Sequence, residues 1–134
     1  MEIEISASFV LTRFKNEPEE ITRMLGIYPT RTWKTGDLVG KTILKRKSNG
    51  WVLESSLEQT ADLDSHIKNV LERLSPCWEK LRELGLQYYT EISCVIYNYE
   101  AQVPVMHFDK EIIKSAAELN AEIDIDYYSL YESE

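Results

Sequence analysis

Two hydrophobic periods divide this chain, and they constrain its fold more than any other feature. Near the amino terminus Ile3, Ile5, Ala7, Phe9 and Leu11 occupy every second position, with Glu2, Glu4, Ser6 and Ser8 between them. A period of two sends alternate side chains to opposite sides, so this segment reads as a strand with one buried face. The alternation returns at the other end, with Ala121, Ile123, Ile125 and Tyr127 on one side and Glu122, Asp124, Asp126 and Tyr128 on the other. Tyr88 to Tyr99 is a third such stretch, setting Ile92, Cys94 and Ile96 against Glu91, Ser93, Val95 and Tyr97. Between these strands the period changes. Leu63, Ile67, Val70, Leu71, Leu74, Trp78, Leu81 and Leu84 follow the three-to-four spacing of an amphipathic helix. Pro76 interrupts it, either as a kink or, with Ser75 as cap, as the first residue of a second helix. Gly85 is expected to end the segment.

Local signals add the remaining elements. Asn16-Glu17-Pro18-Glu19-Glu20 starts a short helix, because proline suits a first turn and acids complement the positive end of the helix dipole. Gly26 is its expected left-handed stop. Asp109 caps another helix that runs through Ile112, Ile113, Ala116 and Leu119 to a stop near Asn120. Ser48-Asn49-Gly50 lies between Thr42–Lys47 and Trp51–Leu57, and Asn-Gly tolerates the positive φ of a tight turn, so these two segments are predicted to pair as an antiparallel hairpin. The order is strand, helix, extended segment, hairpin, long helix, strand, helix, strand, with no linker. This predicts one α+β domain over residues 1–134. Its mixed or antiparallel sheet has helices packed mainly on one face, in a ferredoxin-like split βαβ arrangement.

Charge narrows the function classes. The formal net charge is −8, which argues against nucleic acid as a partner, since phosphates demand a basic surface. The charge is also bipolar. Arg31, Lys34, Lys41, Lys45, Arg46 and Lys47 face only Asp37 between positions 31 and 47, a local balance of 6 − 1 = +5. From 109 to 134, Lys110 and Lys114 stand against Asp109, Glu111, Glu118, Glu122, Asp124, Asp126, Glu132 and Glu134, a balance of 2 − 8 = −6. The acidic start Met1-Glu2-Ile3-Glu4 lacks the basic residues of a signal peptide, and no apolar run approaches the ~20 residues of a spanning helix. A cytoplasmic location without membrane contact is therefore expected. Cys77 and Cys94 are too few and too far apart for a disulfide framework, and are expected as reduced core residues.

Catalytic candidates are sparse. Asp62, Asp64 and His66 would share a face if extended and could then ligate a metal, but they fall at a helix start, where acids serve capping. Cys94 with His107 could form a nucleophile and base, but Cys94 lies on the apolar side of its strand, where packing is the expected role. The five glycines match no phosphate-binding motif. No catalytic residues, metal or cofactor are assigned.

The stretch Leu25-Gly26-Ile27-Tyr28-Pro29-Thr30-Arg31-Thr32-Trp33-Lys34-Thr35-Gly36-Asp37 resembles the bacterial family called domain of unknown function 4279, with its glycine, Pro-Thr, Trp and Gly-Asp pattern. Gly50 to Leu57, Leu63 to Leu74, Ser93 to Tyr97 and Ala121 to Tyr127 are similar to its later blocks, in the same order. The resemblance implies a compact bacterial α+β domain and carries no established activity.

Two functional expectations follow. The first is a non-enzymatic protein-binding domain, similar to immunity proteins, that meets a basic protein such as a toxin through Glu122, Asp124, Asp126 and Tyr128. The second is a small-molecule or anion site formed by Arg31, Trp33, Lys34 and Trp51. Against it stands a structural role, in which Trp33 and Trp51 pack together across the hairpin and do not contact a ligand.

Overall fold

The computed structural model describes residues 2–133. Its elements are β1 (Glu4–Thr12), α1 (Pro18–Leu25), β2 (Arg31–Trp33), β3 (Gly50–Glu54), α2 (Leu63–Leu74), α3 (Trp78–Gln87), β4 (Tyr89–Asn98), α4 (Lys110–Glu118) and β5 (Glu122–Ser129). The strands form one five-stranded sheet in the order β2-β3-β1-β4-β5. β1 is central and runs antiparallel to β3 and β4, β2 is antiparallel to β3, and β5 joins the edge parallel to β4. Each helical connection thus carries the chain across one face, and the sheet is mixed because the α4 crossover returns β5 parallel to β4.

Alternation along β1 decides which face is covered. Ile5, Ala7, Phe9 and Leu11 are buried, and their register partners Ile96, Cys94, Ile92, Leu53 and Trp51 are buried with them. All four helices pack on this side. Phe9, Leu11, Trp51 and Leu53 meet Ile21, Leu25, Val70, Leu74 and Leu81, while Ile5, Ala7, Ile92 and Cys94 meet Leu63, Ile67, Ile112 and Ala116. Trp51 is wholly enclosed, its ring edge-on to Phe9 at 6.5 Å and its Nε1 donating to Thr22 Oγ1 at 3.0 Å. That pairing lets a large ring be buried without stranding its N–H.

The helix boundaries follow their local chemistry. α1 opens with Pro18 and stops at Gly26, whose φ is 73°. Asp62 and Asp109 cap α2 and α4, accepting from Ser65 N at 2.8 Å and Ile112 N at 2.9 Å. At Pro76 the chain neither bends a continuous helix nor caps a new one with Ser75. A 3-10 turn over Ser75–Cys77 separates α2 from α3, and the Ser75 hydroxyl donates back to Glu72 O. Both cysteines are free and buried.

Two expectations are corrected. The Asn-Gly hairpin does not form. β3 pairs with β1 and with β2, and Lys41 to Lys47 instead folds back on residues 36–39, with an isolated bridge between Leu38 and Lys45. Burying Trp51 and Leu53 against β1 removes far more apolar surface from water than pairing with a lysine-rich segment would. Asn49 becomes a clamp, accepting from Thr35 N at 2.8 Å and donating to Asn16 O at 2.9 Å. Gly50 leaves room for a ring, since a Cβ there would lie 2.0 Å from the Trp33 indole.

Gly85 does not end its helix either. α3 continues to Gln87, and Gly85 admits the Leu119 carbonyl, which would sit 2.2 Å from an added Cβ. In G85A, the gain of ~1 kcal/mol from helix propensity is outweighed by a clash with backbone that has nowhere to go. Urea unfolding should show a net loss of about 1–3 kcal/mol. A stabilised variant would disprove the close approach.

Candidate functional site

The sheet face opposite the helices carries the positions that alternate with the core. Pairing in register puts cross-strand partners on the same side, so this face can be read row by row. One row runs Arg31, Val52, Val10, Glu91, Glu122. The next runs Glu54, Ser8, Ser93, Asp124, and beyond it come Ser6, Val95, Asp126 and then Glu4, Tyr97, Tyr128. Six carboxylates, from Glu4, Glu54, Glu91, Glu122, Asp124 and Asp126, thus share a helix-free surface with Arg31 as the cation borne by its strands. Glu122, Asp124, Asp126 and Tyr128 are exposed, Ser6, Ser8 and Ser93 are half-buried, and Val52, between Val10 and Arg31, is fully covered.

Aromatic rings give the face definition. Tyr97 and Tyr128 stack at 5.1 Å between ring centres with an interplanar angle of 14°. Tyr89 donates to Glu91 Oε1 at 2.8 Å. Burial, then hydrogen bonding to Glu91 and Glu122, pushes its phenol well above the ordinary range. It therefore stays protonated and donates to the carboxylates around it.

Sequence reasoning placed Glu122, Asp124, Asp126 and Tyr128 on one outer face, and they are there. It missed Glu4, Glu54 and Glu91. The alternation in β1 and β4 marked two of these as outward-facing. The missing information was strand order, which sets β4 beside β5 and β1 beside β4.

The second expected cluster is not assembled. Thr32 is the register partner of Trp51 and Gly50 that of Trp33, so the two tryptophans lie on opposite faces of the sheet. Trp51 is in the core. Trp33 lies over Gly50 with its Nε1 donating to Ser48 O at 3.0 Å, and the Arg46 guanidinium stacks on it at 3.9 Å. Lys34 is paired with Glu17 at 2.9 Å, and Arg31 is exposed at the sheet edge. The reason is the pleat: tryptophans at paired strand ends share a face only when their register matches.

The remaining candidates are dispersed. Asp62 caps α2, Asp64 pairs with Lys68 at 3.2 Å, and His66 is buried with its Nδ1 2.6 Å from Ser55 Oγ. Among the described residues no cluster of three or more His, Cys, Asp or Glu side chains is placed to hold a metal ion. Burial, then the charges of Asp124 and Glu91, pushes the Cys94 thiol up to about 12, the reverse of what a nucleophile needs. His107 is exposed on the loop before α4, with no hydrogen bond to Cys94 among the described residues. Among these residues no helix is long and apolar enough to cross a membrane.

These features define a class, a small α+β domain with one helix-covered and one open, acidic sheet face. The chain belongs to the family described as domain of unknown function (DUF4279), whose family model matches residues 3–130. No curated protein and no solved structure matches it.

His66 supplies a test of the α2 packing. Burial holds its imidazole below the ordinary value, because the charged form is the one that burial penalises. The unfolded chain then binds the proton more readily than the folded one. His66 accordingly supports stability above pH ~6.5, and that support is lost as the pH falls below this value. The melting temperature should drop between about pH 7 and 5.5, where carboxylates remain largely ionised. In H66Q the dependence should flatten, and an equal slope in both proteins would show that His66 is not its source.

Proposed function

We propose that this protein is a non-enzymatic binding domain that engages a basic partner protein through the open face of its sheet. Its role would be that of an immunity protein occluding a basic toxin. The observation that carries the reading is the gathering of Glu4, Glu54, Glu91, Glu122, Asp124 and Asp126 on the one sheet face that no helix covers.

Several physical features support it. A like-charged patch raises the encounter rate with an oppositely charged surface and rejects acidic competitors. Small central side chains, Ser6, Ser8 and Ser93, let a partner's backbone or long cations approach the sheet. The stacked Tyr97–Tyr128 pair offers the flat, amphipathic area that dominates many interface cores. The non-enzymatic part rests on the raised Cys94 thiol and on Asp62, Asp64 and His66 each being engaged separately, in a cap, an ion pair and a core hydrogen bond.

The test is affinity for a partner captured from the source organism, measured for the native protein and for the triple variant E122K/D124K/D126K. Binding should weaken by about tenfold or more, chiefly through a slower on-rate, and the native complex should loosen as salt is raised. A control reversal on the helical side, E79K/E83K, should leave affinity within about twofold. Unchanged affinity in the triple variant would remove the open face from the interface.

A further inference from the structure

A second surface, of opposite sign, lies where the chain leaves β1. Arg13 and Lys15, on the turn after that strand, meet Lys47 from the long loop around a depression of about 470 Å³, with Thr35, Ser48 and Asn49 also lining it. All three cations are exposed, and none makes an ion pair among the described residues. Nearby Lys34, by contrast, is neutralised by Glu17. Acids outnumber Lys and Arg by 23 to 15 in this chain, yet among the described residues no carboxylate lines this cleft.

The walls are held together without using the cations. Asn49 bridges the two segments, donating to Asn16 O at 2.9 Å and accepting from Thr35 N at 2.8 Å, while Trp33 Nε1 fastens Ser48 O at 3.0 Å. The Arg13 backbone has a φ of 70°, a left-handed conformation disfavoured for a residue with a Cβ. Its guanidinium lies 4.7 Å over the Tyr89 ring, which holds the planar group in a defined place at the rim. The three cations are therefore without an ion pair among the described residues, and Lys15 and Lys47 take no part in bracing the frame.

We propose that this cleft binds the phosphate of a small phosphate monoester. The guanidinium suits bidentate contact with phosphate oxygens, the two ammonium groups supply charge, and the Ser48 hydroxyl adds a donor, while that of Thr35 is taken up by Asn49 Oδ1. Three cations around one cleft favour a group of charge near −2 over a monocarboxylate. The volume exceeds that of the bare anion, leaving room for a short organic moiety, with Phe14 as part of the wall. A nucleic-acid strand fits poorly, because the adjacent carboxylate-lined sheet face repels a polyanion. The cleft shares no residue with the acidic face, so the two readings stand or fall separately.

The test is an NMR titration of the labelled protein with inorganic phosphate and with glycerol 3-phosphate, against sodium chloride at matched ionic strength. Saturable shifts should appear at Arg13, Lys15 and residues 47–49, with a Kd on the order of 1 mM or tighter for the monoester. K15Q and K47Q remove exposed side chains and should keep the native spectrum while each weakens binding about tenfold. Equal affinity for the two ligands would overturn the monoester assignment in favour of the free anion. Shifts that merely follow ionic strength, or that persist unchanged in both variants, would overturn the site. Tighter, strongly salt-dependent binding of a single-stranded oligonucleotide would overturn it in favour of nucleic acid.

Discussion

The register in which β1 pairs with β3 and β4 decides which side chains this protein hides and which it presents. Because side chains alternate along a strand, a slip of one residue would exchange the two faces entirely. In the observed register Phe9 meets Leu53 and Ile92, and Leu11 meets Trp51, so one side of the sheet is continuous apolar surface for four helices. The same pairing sends Ser6, Ser8 and Val10 to the other side. The open face is therefore the unavoidable complement of the core.

That complement is also where charge accumulates. Carboxylates on four neighbouring strands repel one another, and at the surface this repulsion is softened by water and by salt. Tyr89 softens it further by donating a hydrogen bond to Glu91. The long loop between β2 and β3 holds cations instead, with Arg46 stacked on Trp33 and Lys47 at the cleft near Arg13. The bipolar sequence becomes two separate surfaces because the loop folds back on itself and its exit pairs with β1.

Much of this was legible in the residues. Alternation located β1, β4 and β5 and their buried sides, and caps at Pro18, Asp62 and Asp109 located helix starts. Those signals are short-range and depend on backbone geometry alone. The failures came where a residue served a distant neighbour. Asn49-Gly50 read as a turn, yet Asn49 clamps Thr35 to Asn16 and Gly50 makes way for Trp33. Gly85 read as a stop, yet it makes way for Leu119 O. A missing side chain looks the same in sequence whether it frees a dihedral angle or vacates a volume.

The sequence by itself determined the α+β class, the inner and outer sides of the long strands, the acidic character of β5 and the unsuitability of its cysteines for a disulfide framework. Each follows from periodicity, composition or spacing within one segment. Only the tertiary structure decided that β5 lies beside β4 and β4 beside β1, which turns scattered acids into one face. It also separated Trp33 from Trp51 and brought Arg13 and Lys15 to Lys47. Those outcomes depend on strand order and register, and both are selected by the total apolar surface buried when the whole chain packs.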